Sequence, residues 1–168
     1  MNDGFEKSPL AVVFHEVVHT SLDSLGMSEP ALERYLETLL IQFSRTDGIY
    51  AIRDAEGRPV TSIAGMLAEG DIRLNASSFA RERQVHKHIG DLLLFWSGMF
   101  PEQLANLPAP DRVIDCEKQA KYSYYVASTF DHAPYAEEAP ILGRLSAEFE
   151  ACRYGLSLVR QALPGLAA

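Results

Sequence analysis

From Ser8 onward, apolar residues recur at intervals of three and four, the spacing that gathers them on one face of a helix. Ser8-Pro9 reads as a cap followed by proline at the first helical position, and Leu10, Phe14, Val17, Val18, Leu22 and Leu25 mark one face before Gly26 closes the helix. Ser28 opens a second helix, with Leu32, Tyr35, Leu36, Leu39, Leu40 and Phe43 on its stripe, ending before Asp47-Gly48.

Between Ile49 and Asp71 the helical rhythm lapses. "DAEGRP" reads as a turn between two short extended pieces, and Ser62 starts a brief helix through Leu67. Ser77 begins a long helix that reaches Met99, where Phe100-Pro101 stops it, and "PEQLANL" supplies one further turn. Asp111 caps a helix running to Phe130. Pro140 opens the last one, with Leu142, Leu145, Phe149, Cys152, Leu156 and Val159 facing a core. The stretch Leu92 to Phe100 is apolar nearly all round, which marks its helix as the central one. The expectation is an all-α fold: one domain over residues 1–168, built as a bundle of about five long helices with one or two short ones and a small hairpin near residues 49–60.

Composition narrows the class. With 168 residues, 47% of them hydrophobic and 23% charged, the chain is long enough to bury a core without staples. A net charge of −8 with Lys and Arg scattered argues against nucleic acid as a partner. The longest apolar stretch, Leu92 to Phe100, is about half what a membrane span needs, so no membrane partner is expected. "MNDGFEKSPL" opens acidic and lacks the basic region and apolar run of a signal peptide. Cys116 and Cys152 fit no metal spacing and read as buried free thiols. A cytoplasmic, reducing location follows.

One motif carries chemistry on its face. In "FHEVVHT", His15, Glu16 and His19 match H-E-x-x-H, the pattern in which two imidazoles on one helical face bind zinc and the intervening Glu acts as general base. The match resembles the zincin peptidases in five residues and departs from them elsewhere. No glycine and third histidine follow, and the fourteen residues before His15 hold no strand. At about 100° per residue, His15 falls at the edge of the apolar face while Glu16 and His19 lie toward the polar side. The motif is therefore read as an ordinary amphipathic helix, and no cofactor is expected. The alternative is a zinc-dependent hydrolase with ligands His15 and His19, base Glu16, and Glu37, Glu33 or Asp23 as third ligand.

A second stretch, "VHKHIGDLLLFWSGMFPE", places Asp91 just before the apolar run, where a carboxylate needs a partner. Lys87 and His88 lie one turn back, so His88 and Asp91, with Ser97, form a candidate buried polar site that would floor a small-molecule pocket. The competing expectation is that Asp91 anchors a neighbouring helix. Gly90 and Gly98 lower helix propensity by about 1 kcal/mol each and mark a close helix crossing or a kink, a ligand against the backbone being the rarer reading. Tyr122, Tyr124 and Tyr125 read as core-edge residues.

The residues Gly90, Asp91, Leu94, Phe95, Ser97, Gly98 and Phe100, with "FHEVV" and "YLETLLIQF" before them, resemble an uncharacterised bacterial family of small helical proteins carrying G-D-x-x-L-F-x-S-G-x-F. The resemblance covers about residues 14 to 130 and implies a helical fold without assigned activity. The expected function is a non-catalytic cytoplasmic helical domain that binds a protein partner or itself, a homodimer being one form of the latter.

Overall fold

The computed structural model describes residues 8–163. Residues 1–7, which carry most of the opening read above as lacking a signal peptide, lie outside the described residues, as do residues 164–168. Ser8 caps α1 (Pro9–Ser24) by accepting a hydrogen bond from the Ala11 amide at 3.2 Å. Gly26 ends it at φ +69°, where a side chain would be strained, and the Met27 amide donates back to the Leu22 carbonyl at 2.9 Å. Chain reversal there lays α2 (Pro30–Phe43) antiparallel along α1.

A short α3 (Thr46–Ile49) leads into a turn in which Arg53 and Pro59 form one antiparallel bridge. The Val60 amide donates to the Ile52 carbonyl and the Asp54 amide to the Arg58 carbonyl, so the expected hairpin is a minimal ladder without strands. Then follow α4 (Ile63–Gly70), the long α5 (Phe79–Met99), a single turn α6 (Glu102–Ala105) and a 3₁₀ turn at Ala109–Asp111. The chain closes with α7 (Cys116–Ser128), α8 (Ala139–Ala147) and α9 (Phe149–Ala162). Among the described residues the fold is all-α.

Helix α5 is the axis. It packs against α7, α9, α4 and α2, and every residue from His88 to Phe95 is buried. Two glycines set how closely its neighbours approach. A Cβ on Gly90 would stand 2.8 Å from the Tyr124 ring, and one on Gly98 would stand 2.5 Å from the Leu156 Cβ, so α7 and α9 cross α5 where it lacks side chains. Within the resembling motif, Gly90 and Gly98 thus make crossings, while Leu94, Phe95 and Met99 are core.

Several boundaries differ from expectation; α4 runs on to Gly70 and α7 ends at Ser128. Ser78, not Ser77, caps α5. Ser28 does not cap α2, whose N-cap is Glu29; the Ser28 hydroxyl donates instead to Glu33. Asp115 caps α7, and Asp111, almost fully buried, reaches across the chain to accept from the Ile63 and Ala64 amides at 2.7 and 2.9 Å. It is α4 that Asp111 caps, together with Ser62. The last predicted helix breaks at Glu148, which turns the chain so that α8 packs on α7 while α9 lies against α5 and α1. Leu10, placed on the core face by its spacing, is exposed at the open end of α1.

Candidate functional site

The H-E-x-x-H helix folds into two rungs. Because α2 runs antiparallel to α1, Glu37 meets His15 and Glu33 meets His19, with Nδ1-to-carboxylate distances of 2.8 and 2.9 Å. Each imidazole therefore faces a different carboxylate. Glu33 also accepts from the Ser28 hydroxyl at 2.7 Å. Burial tends to raise the Glu33 carboxyl, but the Ser28 and His19 hydrogen bonds outweigh it and hold it below the usual range, while the bond to Glu33 raises His19 above the usual histidine range. Glu16 is exposed and belongs to neither rung, and Asp23 is exposed at the far end of the helix. Among the described residues no group of three His, Cys, Asp or Glu side chains stands close enough to hold one metal ion. The geometry is that of two surface clamps between helices.

Asp91 is built differently. It is 4% exposed, and its Oδ1 accepts from the Tyr35 hydroxyl at 2.6 Å and the Tyr124 hydroxyl at 2.7 Å. Its Oδ2 faces the Lys87 ammonium at 3.3 Å, one turn back on α5. One carboxylate thus ties α2, α5 and α7 together. Burial, reinforced by the Asp91 charge, pushes both phenols well above their ordinary range, and the same charge raises Lys87. The other two members of the expected polar site go elsewhere. His88 points its Nε2 at the Ile49 carbonyl at 2.9 Å and sits edge-on to the Phe43 ring. A carbonyl only accepts, so the proton is assigned to Nε2, and burial keeps this histidine below its usual pKa. Ser97 donates to the Leu93 carbonyl within its own helix. Asp91, His88 and Ser97 do not form one cluster.

Above Asp91 the helices part. A groove of about 380 Å³ runs between α2, α5 and the start of α8, with Asp91 and Tyr35 at its floor and Lys87 between them and solvent. An adjoining hollow of about 350 Å³ shares Gln42, Lys87, Asp91 and Glu138 with it and extends to Arg83. Arg83 is nearly buried, donates to Glu138 at 2.5 Å and lies over the Tyr135 ring at 4.0 Å, yet its Nε has no acceptor. Of this set the sequence pointed to Asp91 and Lys87. Tyr35 lies on the apolar stripe of α2, and its polar tip is the one local signal of this bond.

The third place is a recess of about 410 Å³ between α4, α5 and α7, lined by Leu67, Asp71, Ile72, Arg73, Glu82, His86 and Tyr122. His86 is held from behind: its Nδ1 lies 3.1 Å from the Ser123 hydroxyl, which also accepts from Gln119 at 3.0 Å. Burial lowers its pKa, and the Tyr122 ring stands edge-on to it. Two of its lining side chains, Ile72 and Tyr122, are exposed, and so are three others on the same turn and helices. Ile72 is 46% exposed, Leu74 67%, Phe79 63%, Tyr122 57% and Tyr125 59%. Phe79 shares a face of α5 with Glu82 and His86 by spacing, and Tyr125 lies one turn beyond Tyr122. The turn that holds Ile72 and Leu74 out is well tied. The Leu74 and Ala76 amides donate to the Asp71 carbonyl, and the Asp71 side chain binds the Arg73 amide and guanidinium. Of the three tyrosines expected at the core edge, Tyr124 is fully buried while Tyr122 and Tyr125 are displayed.

Both cysteines are unpaired; burial pushes the Cys152 thiol up to about 12, and Cys116 is half-buried. No described helix is long and apolar enough to cross a membrane. Comparison with known proteins adds nothing further: no family model, no curated protein and no solved structure matches the chain.

Proposed function

We propose that this chain is a non-catalytic helical domain, working in the cytoplasm, that acts by docking a protein partner or a second copy of itself. One observation carries the reading: the exposed side chains of Ile72 and Tyr122 line the recess at His86, and Leu74, Phe79 and Tyr125 stand exposed on the same turn and helices, with the turn held by hydrogen bonds to Asp71. Scattered exposed apolar residues are ordinary, but a group of them rimming a concave site is the usual form of an interaction surface. Tyr122 in its lining supplies a large contact area of the kind that anchors protein interfaces. Two unpaired thiols suit a reducing compartment.

The zinc reading draws no comparable support, since His15 and His19 are each occupied by a separate carboxylate. Small-molecule binding beside Asp91 is favoured by a specific observation, the groove above it with a charged floor, and is developed below.

The test is sedimentation velocity at rising concentration, together with capture by the tagged chain in extract of its own source cell. The expected result is a dimer or a stoichiometric partner that Phe79→Glu combined with Tyr122→Glu abolishes and Leu10→Glu, on α1, preserves. A strict monomer without a partner sensitive to the double substitution would remove the reading.

A further inference from the structure

We infer that the groove between α2, α5 and the start of α8 binds a small zwitterion, a molecule bearing both an ammonium and a carboxylate, of which a free amino acid is the simplest. The inference rests on the small-molecule reading of the Asp91 region and names the ligand class.

The argument begins with the floor. A carboxylate as buried as Asp91 is tolerated only when it is bonded, and here the bonds are divided unequally. Oδ1 takes both phenol hydroxyls, whereas Oδ2 has only Lys87, at 3.3 Å. Lys87 in turn lies 3.8 Å from Glu138 and 5.2 Å from the centre of the Tyr35 ring, so it bridges the floor to the α8 side. The walls add two charges that the protein leaves unmatched. Arg34 on α2 and Glu137 just before α8 both line the groove, and neither forms an ion pair with any described residue. Both are exposed, so their side chains can swing to meet an occupant.

The groove therefore presents cation and anion together: Arg34 and Lys87 for a carboxylate, Glu137 and Glu138 for an ammonium. A purely anionic ligand would meet three carboxylates, and a purely cationic one would meet Arg34 and Lys87. Only a molecule carrying both charges matches both walls, because like-charge juxtaposition is penalised. Leu39, Ala31 and Ile141 complete the lining with an apolar patch for an aliphatic portion. The volume of about 380 Å³ lies at the low end of small-molecule sites and holds a molecule of amino-acid size. In the adjoining hollow, outside the groove itself, the Arg83 Nε is buried and has no acceptor in the protein.

The experiment is isothermal titration of the full chain with the free L-amino acids, each accompanied by its N-acetyl and methyl-ester forms. A set of neutral and singly charged compounds of similar size is titrated beside them. Saturable binding of one or a few free amino acids is expected, weakened by about tenfold or more when either charge is blocked. Arg34→Gln and Glu137→Gln should each weaken binding similarly while leaving the melting temperature of the free protein unchanged, since both side chains are exposed. Thr38→Trp, on the exposed rim, should abolish it by filling the groove without touching a charge. If the blocked forms bind as well as the free ones, or a singly charged compound binds on these residues while zwitterions are inert, the ligand class is overturned and the groove reading stands. If nothing in either set binds, both fall.

Discussion

The rungs between α1 and α2 and the centre at Asp91 are built from the same materials, acidic residues bonded across a helix contact, and they differ in what surrounds them. His15 and His19 keep about half their side-chain surface in water, whereas Asp91 and both of its tyrosines are buried. On the histidine side, water screens the charges and each pair adds little, although Glu33 itself is only 7% exposed. Away from water the same kind of bond becomes obligatory, because a broken partner leaves a polar group with nothing to bind. The motif that looks most chemical in the sequence is thus the one whose residues are most replaceable. Its quieter neighbour in the "GD" step holds three helices.

That contrast can be broken most directly at Asp91. Asp91→Ala removes the acceptor of two buried hydroxyls and the counter-ion of Lys87, and should lower unfolding stability by about 3–5 kcal/mol in urea denaturation. A loss below 1 kcal/mol would place the centre with the surface pairs. Next in size is Gly90→Ala. The added Cβ would stand 2.8 Å from the Tyr124 ring, which its bond to Asp91 keeps from retreating, so a loss of about 1–3 kcal/mol is expected. Tyr35→Phe, which removes one of the two hydroxyls at Oδ1, should cost about 1 kcal/mol, because Tyr124 remains.

The smallest effects belong to the rungs, and pH makes them visible. His19 is raised by Glu33, so its contribution is complete below its ordinary value of 6.5 and fades as pH rises through the raised one. Glu33 is lowered, so its contribution is present above 4.5 and fades as pH falls through the lowered value. The rung at His19 is therefore strongest between pH 4.5 and 6.5. His86 and His88 act in the opposite direction. Burial lowers both, so acidification below 6.5 protonates the unfolded chain first and stability falls. His19→Gln should leave the melting temperature at pH 8 unchanged and lower it, relative to the parent, by an amount that grows as pH falls toward 6.5 and then stays constant down to about 4.5. A variant whose pH profile overlays the parent would show that this rung contributes nothing.

Helices could be read from the sequence because their signals are local. The stripe of α2, the Ser8-Pro9 start, the Gly26 stop and the crossings at Gly90 and Gly98 need only spacing and the chemistry of one residue. What escaped notice is non-local. Asp91 meets Tyr35 and Tyr124 from two other helices, and Asp111 caps a helix 47 residues earlier in the chain. Spacing along one helix offered His88 to Asp91, but the Ile49 carbonyl, brought in by α3, took it instead. The recess at His86 was hidden for a related reason. Tyr122 and Tyr125 look like core-edge residues until it is known that Tyr124 alone turns inward and that the 71–76 turn presents Ile72 and Leu74 beside them.

The measurement that bears most directly on function is photo-crosslinking in the living source cell, with a photoreactive amino acid placed singly at Phe79, Tyr122 or, as the distant site, Leu10. A docking face at the recess predicts one discrete crosslinked species from Phe79 and Tyr122, either a dimer or a single other protein, and none from Leu10. Silence at Phe79 and Tyr122, or the same diffuse ladder from all three positions, would contradict it.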